Sequence, residues 1–210
     1  MANTNAPFGF APYFGGSGGA PTFALSRRLI ASTDTQACYR GDPVKPVTSS
    51  ANGFITQYTT PGTTIVAGIF WGCKYLSTSQ KRVVWSNYWP GSDASSNVTA
   101  YIYDDPNMQF VVQGNSTTFN ISGTTTLTTS SPVGQYAQFA IGTGTSANGL
   151  SGAYLNTLGT TVTYPFIVTD LIYGPPGVNG ADPTTAYNQV VVGFNNEWRR
   201  TNGAGPTGIS

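Results

Sequence analysis

Short runs of alternating apolar and polar residues follow one another along most of the chain. The clearest run spans 98–103, where Val, Ala and Ile would face one side of a strand and Thr and Tyr the other. The run 65–71 is almost continuously apolar and predicts a buried strand. Gly, Pro, Asn and Asp fill most of the intervals, as turns require. The pattern predicts an all-β sandwich or barrel.

No window of about a dozen residues has the spacing of an amphipathic helix, and no internal repeat indicates a solenoid or a propeller. The Thr- and Ser-rich segment 114–134 keeps Phe119, Ile121 and Leu127 at even separations, which favours a polar edge hairpin over a linker. The other expected strands span 29–32, 44–47, 54–58, 83–85, 108–113, 117–121, 135–141, 161–168 and 190–194.

The first 24 residues have a different pattern. They carry no charge, and their aromatic side chains are spaced among Gly, Ala and Pro, which interrupt any helix or strand period. We therefore predict an extended N-terminal arm over residues 1–24 and a single β domain over residues 25–210. Aromatic side chains are costly to leave in water, so the arm packs either on its own domain or on a neighbouring subunit.

Charge and hydropathy exclude several classes of function. The 210 residues include nine Lys and Arg, eight Asp and Glu and no His, for a formal net charge of +1. Such a chain is a poor nucleic-acid binder, because binding to the phosphate backbone depends on a concentration of positive charge. No apolar run approaches the about 20 residues that span a membrane, and the N-terminus lacks the features of a signal peptide. A nearly neutral, hydroxyl-rich surface favours assembly with other copies or partners.

The residue types for catalysis are scarce. Without His, neither a Ser-His-Asp triad nor most zinc sites can form. Asp104 and Asp105 would point to opposite sides of a strand, and with Asn107 they are better explained as a turn than as a calcium site. The tripeptide 40–42 spells an integrin-binding motif but is also explained as a turn. We therefore expect no enzyme activity, no cofactor and no metal.

Cysteines and tryptophans each allow two interpretations. Cys38 and Cys73 are expected to be buried and reduced rather than bridged. The tryptophans could form a platform for carbohydrate, but core and interface positions are the more common use of this residue. The tryptophans are Trp71, Trp85, Trp89 and Trp198.

Five segments, in order along the chain, resemble a family of tailed-bacteriophage virion proteins. These are the capsid decoration, or cement, proteins, found mostly in short-tailed phages. The matching segments cover about a third of the chain, and beyond Gly114, where the fourth segment ends, residues up to 180 contain none of them. The segments are MANTNAPFGFAP (1–12), YRGDPVKPV (39–47), SNYWPG (86–91), VTAYIYDDPNMQFVVQG (98–114) and VVVGFNNEWRRTNG (190–203).

The resemblance implies a jelly-roll-like β protein on the outer surface of a phage head, assembled in the bacterial cytoplasm. Such a protein binds the major capsid protein, cements neighbouring subunits, associates with itself as a dimer or trimer and has no catalytic residue. In that setting we expect the arm to reach a second subunit. The expected inter-subunit contacts are Phe8, Phe10, Tyr13, Phe14, Phe23, Trp198, Arg199 and Arg200.

Two other functions stay open at this point. A tail fibre or a receptor- or glycan-binding module would also suit a chain of low charge with exposed aromatic residues, although fibres usually show repeats. A glycan-cleaving enzyme would need two facing carboxylates, which the seven Asp and one Glu make improbable.

Overall fold

The computed structural model describes residues 3–13, 23–47, 53–60, 65–121, 131–173 and 182–198. These ranges consist of antiparallel strands, connecting loops and one short 3₁₀ helix, which confirms the all-β prediction. No helix within them is long and apolar enough to cross a bilayer. The elements are β1 (Ala11–Pro12), β2 (Ser26–Ile30), β3 (Cys38–Tyr39), β4 (Pro43–Pro46), β5 (Ile55–Gln57), β6 (Gly68–Leu76), β7 (Val83–Ser86), β8 (Tyr88–Trp89), β9 (Val98–Tyr103), β10 (Gln109–Gln113), the 3₁₀ helix η1 (Thr117–Phe119), β11 (Tyr136–Ala140), β12 (Tyr154–Gly159), β13 (Phe166–Leu171) and β14 (Gln189–Phe194).

Sheet A contains six strands in the order β1-β10-β14-β13-β11-β12. Phe110 lies opposite Val192, and Val192 lies opposite Val168. These buried side chains therefore share one face of the sheet. A bridge between Gly114 and Leu155 joins the end of β10 to β12. The sheet consequently curls around a first hydrophobic core.

Sheet B has the order β2-β9-β6-β4-β5, and β7 pairs with the second half of β6. Phe70 and Ile102 lie opposite each other and are fully buried. A bridge between Leu29 and Phe54 brings β2 against the residue before β5, so this sheet also curls. The β3–β8 ribbon adds Trp89, which is buried in the resulting second core.

Strands β6 and β9 belong to both cores. Ile69 and Tyr103 form an opposed pair that packs in the first core. The next pair along the same strands, Phe70 and Ile102, packs in the second core. Successive residues of a strand point to opposite faces, so two adjacent strands can join the two cores directly.

Several segments differ from the predicted strands. Residues 117–119 form a 3₁₀ helix because the Ser116 Oγ accepts a hydrogen bond from the Thr118 N–H at 3.3 Å. Strand β12 forms at residues 154–159, where the pattern predicts none, and β13 begins at Phe166 instead of residue 161. Residues 122–130 of the predicted edge hairpin lie outside the described residues. The hairpin and the jelly-roll connectivity stay predictions.

Residues 3–13 of the predicted N-terminal arm pack on their own domain. Strand β1 pairs with β10 at the edge of sheet A, with Ala11 opposite Val111. Phe10 is 0% exposed, and its ring stacks on Phe166 with centroids 4.5 Å apart. The arm therefore contributes a central side chain to the first core.

This position corrects the expected role of Phe10 as a contact with a neighbouring subunit. The backbone turns inward at Gly9, whose φ of 78° is one that a side chain rarely allows. A Cβ there would also lie 2.6 Å from the Cβ of Ser151. The Gly9 N–H donates to the Ala153 carbonyl at 3.1 Å. This geometry directs the next residue into the domain, which composition alone does not reveal.

A buried carboxylate holds the turn that follows β3. Asp42 is 1% exposed and accepts hydrogen bonds from Ser151 Oγ at 2.5 Å, Gln57 Nε2 at 2.6 Å and the Tyr39 N–H at 2.8 Å. The tripeptide 40–42 is therefore an internal turn, as its pattern favours. Burial raises the pKa of Asp42, and the three hydrogen bonds oppose that rise without cancelling it.

Replacing Phe10 should destabilise the domain strongly. We expect Phe10→Ala to lower the free energy of unfolding by about 3–5 kcal/mol, because it leaves a cavity in the first core. Phe8→Ala is the matched control; Phe8 is only partly buried and should cost less than about 2 kcal/mol. Chemical denaturation measures both. A loss below about 1 kcal/mol for Phe10→Ala would contradict the described packing.

Asp42 should make stability depend on pH. Because its folded-state pKa is raised, its contribution to stability falls as pH rises through the interval between its ordinary and its folded pKa. Asp42→Asn keeps an acceptor for two of the donors and should remove this contribution to the pH dependence. Asp42→Ala leaves three donors without an acceptor and should cost at least about 3 kcal/mol. Chemical denaturation of the parent chain, Asp42→Asn and Asp42→Ala between acidic and neutral pH tests these expectations. Equal pH profiles of stability for the parent chain and Asp42→Asn would contradict the expected role of Asp42.

Candidate binding face

Part of one side of sheet B has no covering layer among the described residues. In the register of its strands, Leu29 lies opposite Thr99, Thr99 opposite Lys74, and Lys74 opposite Trp85. Directly opposed residues project to the same side of a sheet, so these four side chains form one row. We call this surface the open face. It consists of Arg27, Leu29, Gly72, Lys74, Leu76, Val83, Trp85, Thr99 and Tyr101.

Large apolar side chains are concentrated on the open face. Trp85 is 65% exposed and Val83 53% exposed, and Leu29 and Leu76 are exposed as well. Leu25, just before β2, adds a further exposed apolar side chain. Single exposed apolar residues are ordinary, but a group of them on one sheet face is typical of an interaction surface.

A β-bulge in β6 lies beside the aromatic part of the open face. Between Phe70 and Gly72 the register of β6 against β9 shifts by one residue, and Trp71 is the extra residue. The ring of Trp85 stacks on that of Tyr101, with centroids 5.7 Å apart and an interplanar angle of 14°. A recess of about 360 Å³ opens beside this pair. Its lining is formed by Leu25, Trp71, Gly72, Cys73, Trp85, Ser86, Asn87 and Tyr101.

Gly72 keeps this recess open. A Cβ at this position would lie 3.0 Å from the Ser86 carbonyl oxygen, which is tighter than almost all real contacts. Trp71 is held on its other side by Tyr103, in an edge contact with centroids 5.0 Å apart, and the Arg40 guanidinium lies 3.8 Å from the Trp71 ring centroid. The walls of the recess are thus fixed by packing within the chain.

The charged side chains of the open face are both positive. Lys74 Nζ lies 4.9 Å from the ring centroid of Trp85. Arg27 and Lys74 line a second recess of about 330 Å³, which shares Tyr101 with the first. No Asp or Glu lines either recess. The remaining lining residues of the second recess are Tyr75, Leu76, Val83, Ser96, Asn97 and Thr99.

The acidic residues singled out from the sequence have structural partners. Asp104 forms an ion pair with Arg28 at 2.7 Å and accepts a hydrogen bond from Ser26 Oγ at 2.6 Å. Asp105 accepts a hydrogen bond from the Asn107 N–H at 2.9 Å, which is turn geometry. Nowhere in the described ranges do three or more His, Cys, Asp or Glu side chains form a group that could hold a metal ion.

Both cysteines are buried free thiols. Burial raises the pKa of Cys73 to about 12, and its thiol donates to the Tyr88 carbonyl at 3.4 Å. Burial also raises the pKa of Cys38, with a smaller contribution from the Asp42 charge. Both side chains are therefore protonated and inert as nucleophiles at neutral pH.

Of the residues expected to contact other subunits, those that the structure describes are not part of the open face. Phe8 and Tyr13 are partly buried, and Phe23 is 38% exposed. Trp198 is partly buried beside the guanidinium of Arg28, 4.6 Å from its ring centroid. None of these side chains lines the two recesses. Phe14, Arg199 and Arg200 lie outside the described residues.

Sequence reasoning did not separate Trp85 from the other tryptophans. Trp89 is fully buried, as expected of a core residue, whereas Trp85 is mostly exposed. The available signal is the alternation in β7, where Val83 and Trp85 point to the side opposite Val84. Which of the two sides faces a core depends on pairing with β6, and pairing cannot be read from β7 alone.

Comparison of the chain with protein-family models, curated proteins and solved structures finds no match. The open face is therefore interpreted from its own chemistry. That chemistry is a stacked Trp–Tyr pair, an aliphatic surround and two cations.

Trp85 should dominate the fluorescence that a soluble quencher can reach. We expect Trp85→Phe to reduce acrylamide quenching clearly, because Trp85 is 65% exposed. Trp89→Phe, which removes a fully buried ring, should leave the quenchable fraction in place. Stern–Volmer plots of the folded variants measure the difference. Unchanged quenching in Trp85→Phe would contradict the exposure of the open face.

Proposed function

We propose that the protein is a non-catalytic virion component that docks through the open face on the outer surface of a phage head. There it holds neighbouring major capsid protein subunits together. The observation that carries the proposal is the group of apolar side chains on the open face, which the described part of the chain leaves uncovered. The five segments that resemble capsid decoration proteins support the choice of partner.

The composition of the open face favours a protein partner. Trp, Tyr and Arg are the residues most enriched at the energetic centres of protein interfaces, and Trp85, Tyr101 and Arg27 lie together here. Leu29 and Val83 extend the face with aliphatic surface, which gains free energy when a partner excludes water from it. The side chains of Leu29 and Val83 cannot form hydrogen bonds with the hydroxyl groups of a sugar.

A receptor- or glycan-binding module is the second candidate. The stacked pair of Trp85 and Tyr101, with Asn87 beside it in the recess, is an arrangement that can also bind a sugar ring. On a phage, such a module would act at the tail fibre and not on the head. Soluble polysaccharide from the host surface would then compete with binding, whereas purified capsid protein would not.

Removing Trp85 should weaken binding to heads that lack this protein. We expect Trp85→Ala to raise the dissociation constant about 30-fold or more, as at other interface hot spots. Tyr173→Ala is the matched control, because Tyr173, two residues beyond the end of β13, is an aromatic residue with a similar exposure of 61%. Co-sedimentation of purified variants with heads measures both constants.

Equal affinities for Trp85→Ala and the parent chain would overturn the proposal. Loss of binding in both Trp85→Ala and Tyr173→Ala would also overturn it, since the open face would then have no special role. Binding that soluble polysaccharide abolishes would favour the glycan-binding module.

A further inference from the structure

We infer that the partner presents an acidic surface to the open face, with an apolar side chain for the first recess and a carboxylate for the second. This inference rests on the proposed docking function and adds the chemistry of the partner. It starts from the charges of the open face, for which the described residues supply no opposite charge.

Neither Arg27 nor Lys74 has an acidic partner in the part of the chain that the structure describes. Both are exposed, and no carboxylate among the described residues lies within ion-pair distance of either. By contrast, the neighbouring Arg28 is paired with Asp104 at 2.7 Å. The two free cations are also the ones that line the second recess. The fold thus neutralises the cation that points away from the open face and leaves the two that lie on it.

A neutral partner would be unfavourable at this surface. Covering the open face removes water from Arg27 and Lys74, and burying a charge without an opposite charge is unfavourable. The ring of Trp85 offsets only part of that cost for Lys74, because a cation–π contact is weaker than the hydration that a buried charge loses. A carboxylate on the partner provides the missing compensation.

The two recesses are close enough to receive neighbouring side chains. They share Tyr101, and Gly72 and Lys74 are two residues apart on β6, which corresponds to about 7 Å along the strand. Two residues of one partner segment can therefore fill the first recess and reach the cations of the second. An apolar residue close to an Asp or Glu is the pattern that fits.

The same charges argue against two other occupants. A second copy that docked face to face would bring Arg27 and Lys74 toward identical cations, which opposes symmetric pairing through the open face. Self-association as a dimer or trimer would then use a different surface. Nucleic acid is disfavoured as a partner, because two cations would displace few counterions from a phosphate backbone and the surface around them is aliphatic.

Charge substitutions at Lys74 test the inference on heads that lack this protein. We expect Lys74→Met to weaken binding about tenfold and Lys74→Glu to weaken it more, because the reversed charge repels the partner. The matched controls are Lys45→Met and Lys45→Glu. Lys45, on β4, also lies over an aromatic ring, with Nζ 5.4 Å from the centroid of Tyr58, but it is not part of the open face. Both control variants should bind as the parent chain does.

Salt provides a readout that loss of packing would not change. We expect binding of the parent chain to weaken as NaCl rises from about 0.1 M to about 1 M, where the screening length falls from about 10 Å to about 3 Å. Lys74→Met should show a smaller dependence on salt. If Trp85→Ala weakens binding but salt and the Lys74 variants have no effect, the inference is wrong and the proposed docking function stands. If Trp85→Ala binds normally, the proposed function itself is wrong.

Discussion

The architecture depends on two adjacent strands, β6 and β9, that serve two cores at once. Ile69 and Tyr103 face the first core, and their neighbours Phe70 and Ile102 face the second. On β9 the side that holds Tyr103 also holds Tyr101, two residues earlier, where no layer among the described residues covers it. The open face is thus the continuation of a core-facing surface beyond the bulge at Trp71.

The sequence predicted local structure well and long-range partners poorly. The alternation at 98–103 is confirmed, since Val98, Ala100 and Ile102 are all fully buried. The same alternation could not show that Tyr101 and Tyr103, on one side of the strand, have different environments. That difference is set by where sheet A ends, and strand partners far apart in sequence determine it.

The N-terminal segment and the open face show the same limit of prediction from sequence. Gly and Pro interrupt any helix or strand period in residues 3–13, but composition cannot tell whether Phe10 packs on its own chain or on another. Likewise, the one-residue bulge in β6 changes which side of the strand each later residue occupies. Nothing in the alternation of residues 68–76 marks that shift. The open face was therefore beyond the reach of sequence patterns, although its residue types were visible.

Footprinting of the bound protein tests the central claim most directly. Hydroxyl-radical oxidation of the free protein and of the protein on intact heads can be compared at Trp85 and at Tyr173, which have similar exposures of 65% and 61%. Docking through the open face predicts that oxidation of Trp85 falls strongly on heads while that of Tyr173 is unchanged. Oxidation of Trp85 at the same rate in both states would contradict the account.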